Sequence, residues 1–370
     1  MKEHLRRLAW DLSVPVAAVL LALAVGAAAI AAIGKSPWQA YATMLRFSFG
    51  RLDSVAIILF KATPLVFSGL AVAVGFRAGL FNIGVEGQYF TGALLASLVG
   101  FGLKGLPAAV HLPLTIAAAM AGGLAWAWLP AYLKIRRGVH EVISTIMLNY
   151  VAYALVNYFV ADLFLDRAQG LAPGMGSPQV RMPLVLPTAR MPALQGALGI
   201  IGVQLPRHVY LNWFFVLGLV MAAVLYLLIE RTPTGYEIRA VGLNPGAAAA
   251  AGIDPPAVQA RAFLISGAVG GLVGLNTLLG YVGYLDIDFP RNLGFTWIAV
   301  ALIGRNNPLG IVVAALLFGF LDRGAEGVQV FEGVPMDTVV ILQGVLILAI
   351  VVAAEVVGYR RRRRERKEGV

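Results

Sequence analysis

Residues 230–256 read ERTPTGYEIRAVGLNPGAAAAAGIDPP, with apolar runs entering and leaving on either side. Thr232-Pro233-Thr234-Gly235 reads as a turn, because Pro fixes one φ and Gly permits the other. A short helix is expected over 236–241. Gly242 then begins a corner where a positive φ is expected, and Asn244 is pushed out of the helical region by Pro245. The alanine run 247–251 is a strong helix former, stopped by Gly252 and the Asp254-Pro255-Pro256 turn. Two short helices between two membrane spans are too small for a domain and too ordered for a plain loop. Such an element docks on something.

The rest of the chain supplies the membrane. Mean hydropathy is +0.80, 59% of residues are hydrophobic and 13% are charged, against roughly 25% charged in soluble domains. The formal charge of +10 would suit nucleic acid, but seven of the 29 Lys and Arg residues crowd into Arg360–Lys367 after an apolar run. A basic tail there is a topology signal and a contact for lipid headgroups, so the lipid bilayer is the expected partner and nucleic acid is not. With no cysteine, disulfides, thiolate metal sites and cysteine nucleophiles are excluded.

Apolar runs are expected to cross at about 12–33, 53–76, 84–101, 112–133, 141–160, 209–229, 258–281, 294–303, 309–321 and 338–357. The first is too long for a secretory signal and reads as an uncleaved span. The run 294–303 is too short to cross alone and reads as a re-entrant or discontinuous helix. The fold class is therefore all-α and polytopic, about ten transmembrane helices in a single transmembrane domain, 1–370. A Pro- and Gly-rich stretch, 161–208, separates the fifth and sixth. With the N-terminus inside, 18 of the 29 basic residues fall on the inner side, which places both termini and the 230–256 segment in the cytoplasm.

A second polar stretch, 75–92, reads GFRAGLFNIGVEGQYFTG. Arg77, Asn82, Glu86 and Gln88 interrupt apolar sequence among five glycines. Polar groups at membrane depth are costly unless paired or facing water. Two readings stand: Arg77 and Glu86 pair or snorkel to the interface, or a broken helix lines a solute pathway with Asn82, Glu86 and Gln88. Asn149, Asn157 and Asn276, inside later spans, read either as helix-packing hydrogen bonders or, for Asn149 and Asn276, as further pathway groups.

Enzymatic readings fail on spacing. Gly34-Lys35-Ser36 lacks the leading glycine of a P-loop, since position 29 is Ala29; His140-Glu141 lacks a second His; Ser266-Gly267 lacks the flanking glycine of a nucleophile elbow. No catalytic, metal or cofactor set is expected. An ion-coupled secondary transporter would need intramembrane acids, for which Glu86 and Asp53 are the candidates, and would leave the docking loop unexplained.

The run Gly79 to Gln88, with Thr234-Gly235, Arg239 to Gly242, Asn244, Ala247-Ala248 and Gly252-Ile253, resembles the permeases of ABC importers. The group is the one serving branched-chain amino acids, simple sugars and nucleosides. His140 to Tyr150 and Gly304-Arg305-Asn306 add to the likeness, which covers roughly 63–319. The NIGVEGQ form most resembles permeases of bacterial nucleoside uptake. The resemblance implies a ten-span importer in the bacterial cytoplasmic membrane, coupled to a separate ABC ATPase subunit through Gly235, Glu237, Arg239, Gly242, Asn244, Ala248 and Gly252. It also implies a second, non-identical permease, and an external solute-binding protein or lipoprotein received on 161–208. Sugars or branched-chain amino acids are the alternative cargo.

Overall fold

The computed structural model describes residues 20–169, 179–200, 202–206, 209–289 and 294–335, with parts of 337–352. The basic tail, residues 1–19 and much of the expected tenth span lie outside the described residues. Within them the fold is helical, with only two isolated β-bridges, Arg181 with Asp286 and Ala193 with Asn212. The chain divides into two units, residues 1–58 with 317–370, and residues 59–316.

The first unit begins with α1, Leu20–Ala32, followed after a bend of 115° by α2, Pro37–Phe49. Ser36 accepts the Gln39 N–H and Pro37 sits at the first helical position, a start signal that local sequence does carry. No expected span corresponds to α2. Its Ala40 and Met44 pack with Ala22, Ile30, Leu321, Ala325 and Val328. Thr43 donates to Glu332 at 2.6 Å, and Arg323 pairs with Glu326 at 2.7 Å while lying 4.1 Å over the Phe47 ring.

The second unit is built around α4, Val85–Gly102. Twelve of its 18 residues are buried, Gln88 among them. Around it run α3 (Leu52–Arg77, shared with the first unit), α5 (Ala108–Arg137) and α6 (Glu141–Tyr158, extended by a π turn, Phe159–Leu163). Where α4, α5 and α11 (Pro255–Gly270) meet, backbones touch. A Cβ on Gly92 would lie 2.5 Å from the Gly271 carbonyl oxygen, one on Gly122 2.6 Å from that of Thr91, and one on Gly123 2.6 Å from the Gly271 nitrogen. Lipid supplies little hydrophobic drive between helices, so such close approach, with its dispersion contacts, is what associates them.

After α11 the chain turns at 271–274, re-forms α12 (Leu275–Thr277) and ends in a π turn, Leu278–Val282. The expected seventh span is thus a discontinuous helix starting three residues earlier. The short helix α13, Gly294–Ile303, has the expected bounds. Arg305 and Asn306 then adopt φ 55° and 51°, and Asn307 accepts the N–H groups of Leu309 and Gly310 at 3.0 and 3.4 Å to start α14, Pro308–Glu332. That helix runs on well beyond the expected end at 321.

Among the described residues six helices are long and apolar enough to cross a membrane, or seven if α1 and α2 form one broken span. The expected third span, α4, is not among them: it has the length, but its first turns carry Glu86 and Gln88.

The described parts of the 161–208 stretch are more ordered than its composition suggests. They carry a 3-10 turn, Pro187–Ala189, and the short α7, Gln195–Ile200. Backbone bonds run from Met182 to Leu285, Val185 to Gly283, Leu186 to Gly100 and Met191 to Leu279, at 2.8 to 3.1 Å. His111 holds Thr188 at 2.8 Å. The segment is a cap, seated by buried Met182, Val185 and Ala189. Burial, and then the neighbouring Asp288, push the carboxyl of Asp286, a residue β-bridged to Arg181 of this cap, above its ordinary range.

Candidate functional site

The stretch that organises the sequence forms one end of the second unit. Following α8 (Phe214–Arg231), Thr232 accepts the Gly235 N–H at 3.1 Å and Pro233 opens α9, Pro233–Leu243. The expected turn at 232–235 is therefore the cap and first turn of the helix itself. Asn244 accepts the Ala247 N–H at 3.1 Å and starts α10, Pro245–Ala250. Gly252, at φ +84°, ends it, with the Ile253 N–H returned to Ala248 at 3.0 Å; this is the left-handed stop that favours glycine.

The inner face of α9 is fixed to the body. Ile238 and Val241 are completely buried, and so is Ala248 of α10 to within 4%. Gly235 lies against the Leu228 and Ile229 carbonyls, and Gly242 against the Arg77 carbonyl. The expectation of a positive φ at Gly242 is wrong. The residue is helical, and the left-handed position is Gly79, φ +71°, on the facing chain. Glycine is required at 242 because two backbones meet, not because the chain bends.

Charges lock the same junction. Arg77 reaches Glu230 at 3.4 Å and donates to the Asn306 carbonyl at 3.0 Å; Arg239 reaches the other oxygen of Glu230 at 3.2 Å and donates to the Ile229 carbonyl. Glu237 pairs with Arg261 at 2.8 Å, and Lys134 with Glu141 at 2.7 Å. Glu230 thus joins the ends of α3 and α8 to the middle of α9. Such half-buried pairs contribute about 1 kcal/mol or less each, so their value lies in fixing register.

Gly235, Glu237, Arg239, Gly242 and Ala248 all seat the element on its own body, while Asn244 and Gly252 shape its corners. What the element presents outward is Tyr236, 61% exposed, and Leu243, 88% exposed. Neither stood out in the sequence; the available signal was a large apolar side chain in an otherwise polar loop.

The second polar stretch closes on itself. Asn82 donates to Ser266 at 2.8 Å and accepts the Gly84 N–H at 2.9 Å; Asn82 and Gln88 exchange two bonds of 3.4 Å; Ser266 donates to the Ala71 carbonyl at 2.6 Å. Asn82, Gln88 and Ser266 are 1% exposed or less. From α6, Asn149 accepts the Gly87 N–H at 2.9 Å and donates to the Ile83 carbonyl at 3.0 Å. Asn276 lies elsewhere, accepting from Asn212 at 3.0 Å and donating to the Phe60 carbonyl at 3.1 Å. Interhelical bonds in membranes contribute only about 0.6 kcal/mol each, but a buried group left unpaired costs about 1–3 kcal/mol. That asymmetry makes these amides structural ties. Glu86, by contrast, is only half-buried. Next to it Tyr89 stacks on Phe289 at 5.1 Å and meets Trp297 edge-on at 5.7 Å. Among the described residues no cluster of three His, Asp or Glu side chains is placed to hold a metal.

A family model described as branched-chain amino acid transport system / permease component matches residues 54–351. The chain belongs to that family. The permease is 36% identical over 338 residues to the guanosine ABC transporter permease protein NupP of Bacillus subtilis, covering 91% of this chain and 92% of that one. It is 34% identical over 347 residues to a glucose ABC transporter permease protein of Haloferax volcanii, covering 94% and 88%. To the nucleoside ABC transporter permease protein NupB of Lactococcus lactis it is 28% identical over 340 residues, covering 92% and 90%. No solved structure matches the permease. The matched region contains both the α9–α10 element and the Asn82–Gln88–Ser266 cluster.

Proposed function

We propose that this permease is the membrane subunit of an ATP-driven nucleoside importer, docked on a separate ATPase subunit through α9 and α10. One observation carries the docking role: the inner face of α9 is wedged against the body while Tyr236, in its first turn, and Leu243, its last residue and 88% exposed, project from it. Large apolar side chains presented this way are anchors for a partner's cleft. Hydrolysis then belongs to the partner, and this chain converts its closure into movement of α3, α8 and the 305–307 turn through Glu230.

The importer works from ten spans, with both termini and α9–α10 in the cytoplasm of a bacterial cell and the 161–208 segment outside. α4 is counted as a span because protein, not lipid, surrounds it. A second, non-identical permease completes the pathway, and a solute-binding protein or lipoprotein delivers cargo to the cap. Glu86 faces the pathway, while Asn82, Gln88, Asn149 and Asn276 hold the helices that position it.

The nucleoside reading rests on the guanosine and nucleoside permeases among its relatives; the Haloferax glucose permease, at nearly the same identity, supports a sugar as the second reading. Right-side-out membrane vesicles loaded with ATP, with the binding protein supplied outside, separate them. Uptake of labelled guanosine is expected to require ATP, to survive collapse of ion gradients, and to be competed by unlabelled nucleosides. Competition by glucose and not by nucleosides would assign the sugar; uptake driven by an ion gradient without ATP would remove the importer reading altogether.

A further inference from the structure

The end of α5 and the start of α11 leave a groove of about 620 Å³ between them. Ala260 and Leu264 of α11 form its floor. Its wall is Trp128 stacked on Tyr132, ring centroids 5.5 Å apart and 23° from parallel, the two side chains 56% and 39% exposed. At its mouth stand Arg136, in the last turn of α5, and Asp254, the residue before α11. Of the charges nearby, Lys134 is held by Glu141 and Arg261 by Glu237, and Arg137 does not line the groove. Arg136 and Asp254 have no side-chain partner among the described residues, and Asp254 does not cap its own helix.

The position of the groove is that of a bilayer interface. α5 passes there from its apolar run to Lys134, Arg136 and Arg137, and α11 emerges there from the polar 230–256 segment. An exposed indole and phenol at such a border sit at headgroup level. One unpaired cation and one unpaired anion over an apolar cleft complement an amphiphile that carries both charges on its head. We propose that the α5–α11 groove is a binding site for an aminophospholipid. The acyl chain lies along Trp128 and Leu264, the phosphate meets the Arg136 guanidinium, and the primary ammonium meets the Asp254 carboxylate. An anionic lipid would satisfy Arg136 alone and be repelled by Asp254. The site is independent of which solute is carried; it bridges two spans beside the docking helices, so its lipid braces the end of the molecule that must transmit force.

The test uses the full-length permease, purified in mild detergent, stripped of lipid and offered phosphatidylethanolamine or phosphatidylglycerol, with retained lipid counted by native mass spectrometry. The wild-type chain is expected to retain phosphatidylethanolamine over phosphatidylglycerol. Asp254→Asn should abolish that preference, and Arg136→Gln should lower retention of both lipids roughly five-fold, as expected for one interfacial charge. Both side chains are exposed, so neither variant threatens the fold. Equal retention of the two lipids by the wild type, or wild-type behaviour in either variant, would overturn the site. So would efficient cross-linking of Ala260→Cys to a second permease chain, which would give the groove to a protein partner.

Discussion

Gly242→Val is expected to abolish ATP-dependent uptake while the permease still reaches the membrane. A Cβ at 242 would lie within the contact radius of the Arg77 carbonyl, 2.9 Å from its carbon and 3.1 Å from the Gly79 nitrogen. All of these are backbone atoms, so no side chain can rotate to relieve the clash. Overpacking of this kind costs about 1–3 kcal/mol. The strain acts on a helix of about three turns held otherwise by Ile238, Val241 and the Glu230 pairs. Partial release of α9 displaces Tyr236 and Leu243 together. Co-purification of the ATPase should fall by roughly tenfold or more, the equivalent of about 1.4 kcal/mol. Gly246→Ala, where a Cβ meets nothing closer than Asn244 Oδ1 at 3.4 Å, should leave uptake and co-purification intact. Normal co-purification with Gly242→Val would mean that α9 does not need its seat.

Gly271→Val should act on the whole second unit instead. Its Cβ would lie 2.9 Å from the Ala119 carbonyl carbon and 3.2 Å from the Gly123 nitrogen, where α5 and α11 touch. Separating those helices also opens the α4 contacts at Gly92 and Gly122, so the penalty should reach the upper end of the overpacking range, about 3 kcal/mol or more. The expected result is poor accumulation and a lowered Tm in detergent, with loss of uptake following loss of protein. Gly218→Ala is the control in a neighbouring span. Its Cβ would make only ordinary contacts of 3.5 Å with Phe67 and Val66, and the change should be neutral or slightly stabilising. A wild-type Tm for Gly271→Val would contradict the tight junction of α4, α5 and α11.

These two glycines differ in how far the sequence revealed them. The α9–α10 pair is legible because its punctuation is local: Thr232-Pro233 starts one helix, Asn244-Pro245 starts the next, and Gly252 stops it. Two details moved: Pro233 belongs to the first helical turn rather than to a preceding one, and Gly242 is helical rather than the start of a bend. The short α13 was equally legible from its length. Partners far apart in the chain were not. Nothing near Arg77 points to Glu230, and nothing near Asn82 points to Ser266, because these pairings arise only once α3, α8 and α11 are brought together. The same limit explains why four amides that read as pathway candidates turn out to be bonded to the fold. The cap was hidden for another reason: residues 179–194 are held by backbone bonds to distant carbonyls, which leave no side-chain pattern. The helix α2 is marked only by Ser36-Pro37 at its start, because Gln39, Thr43, Arg46 and Ser48 break its residues into no continuous apolar run.

The docking claim has a direct measurement, made possible because the chain contains no cysteine. Leu243→Cys introduces a single thiol on the side chain that projects farthest into solvent from α9, and Ile200→Cys, at an 87% exposed position in the cap segment, serves as its reference. Both are treated with a water-soluble maleimide and with a short thiol–amine cross-linker, in the isolated permease and in membranes holding the assembled transporter. The expected result is that the thiol at 243 reacts freely in the isolated chain, is shielded on assembly and cross-links to the ATPase subunit, while the thiol at 200 reacts equally in both and never reaches the ATPase. A thiol at 243 that labels at the same rate with and without the ATPase, and forms no cross-link to it, would contradict the account.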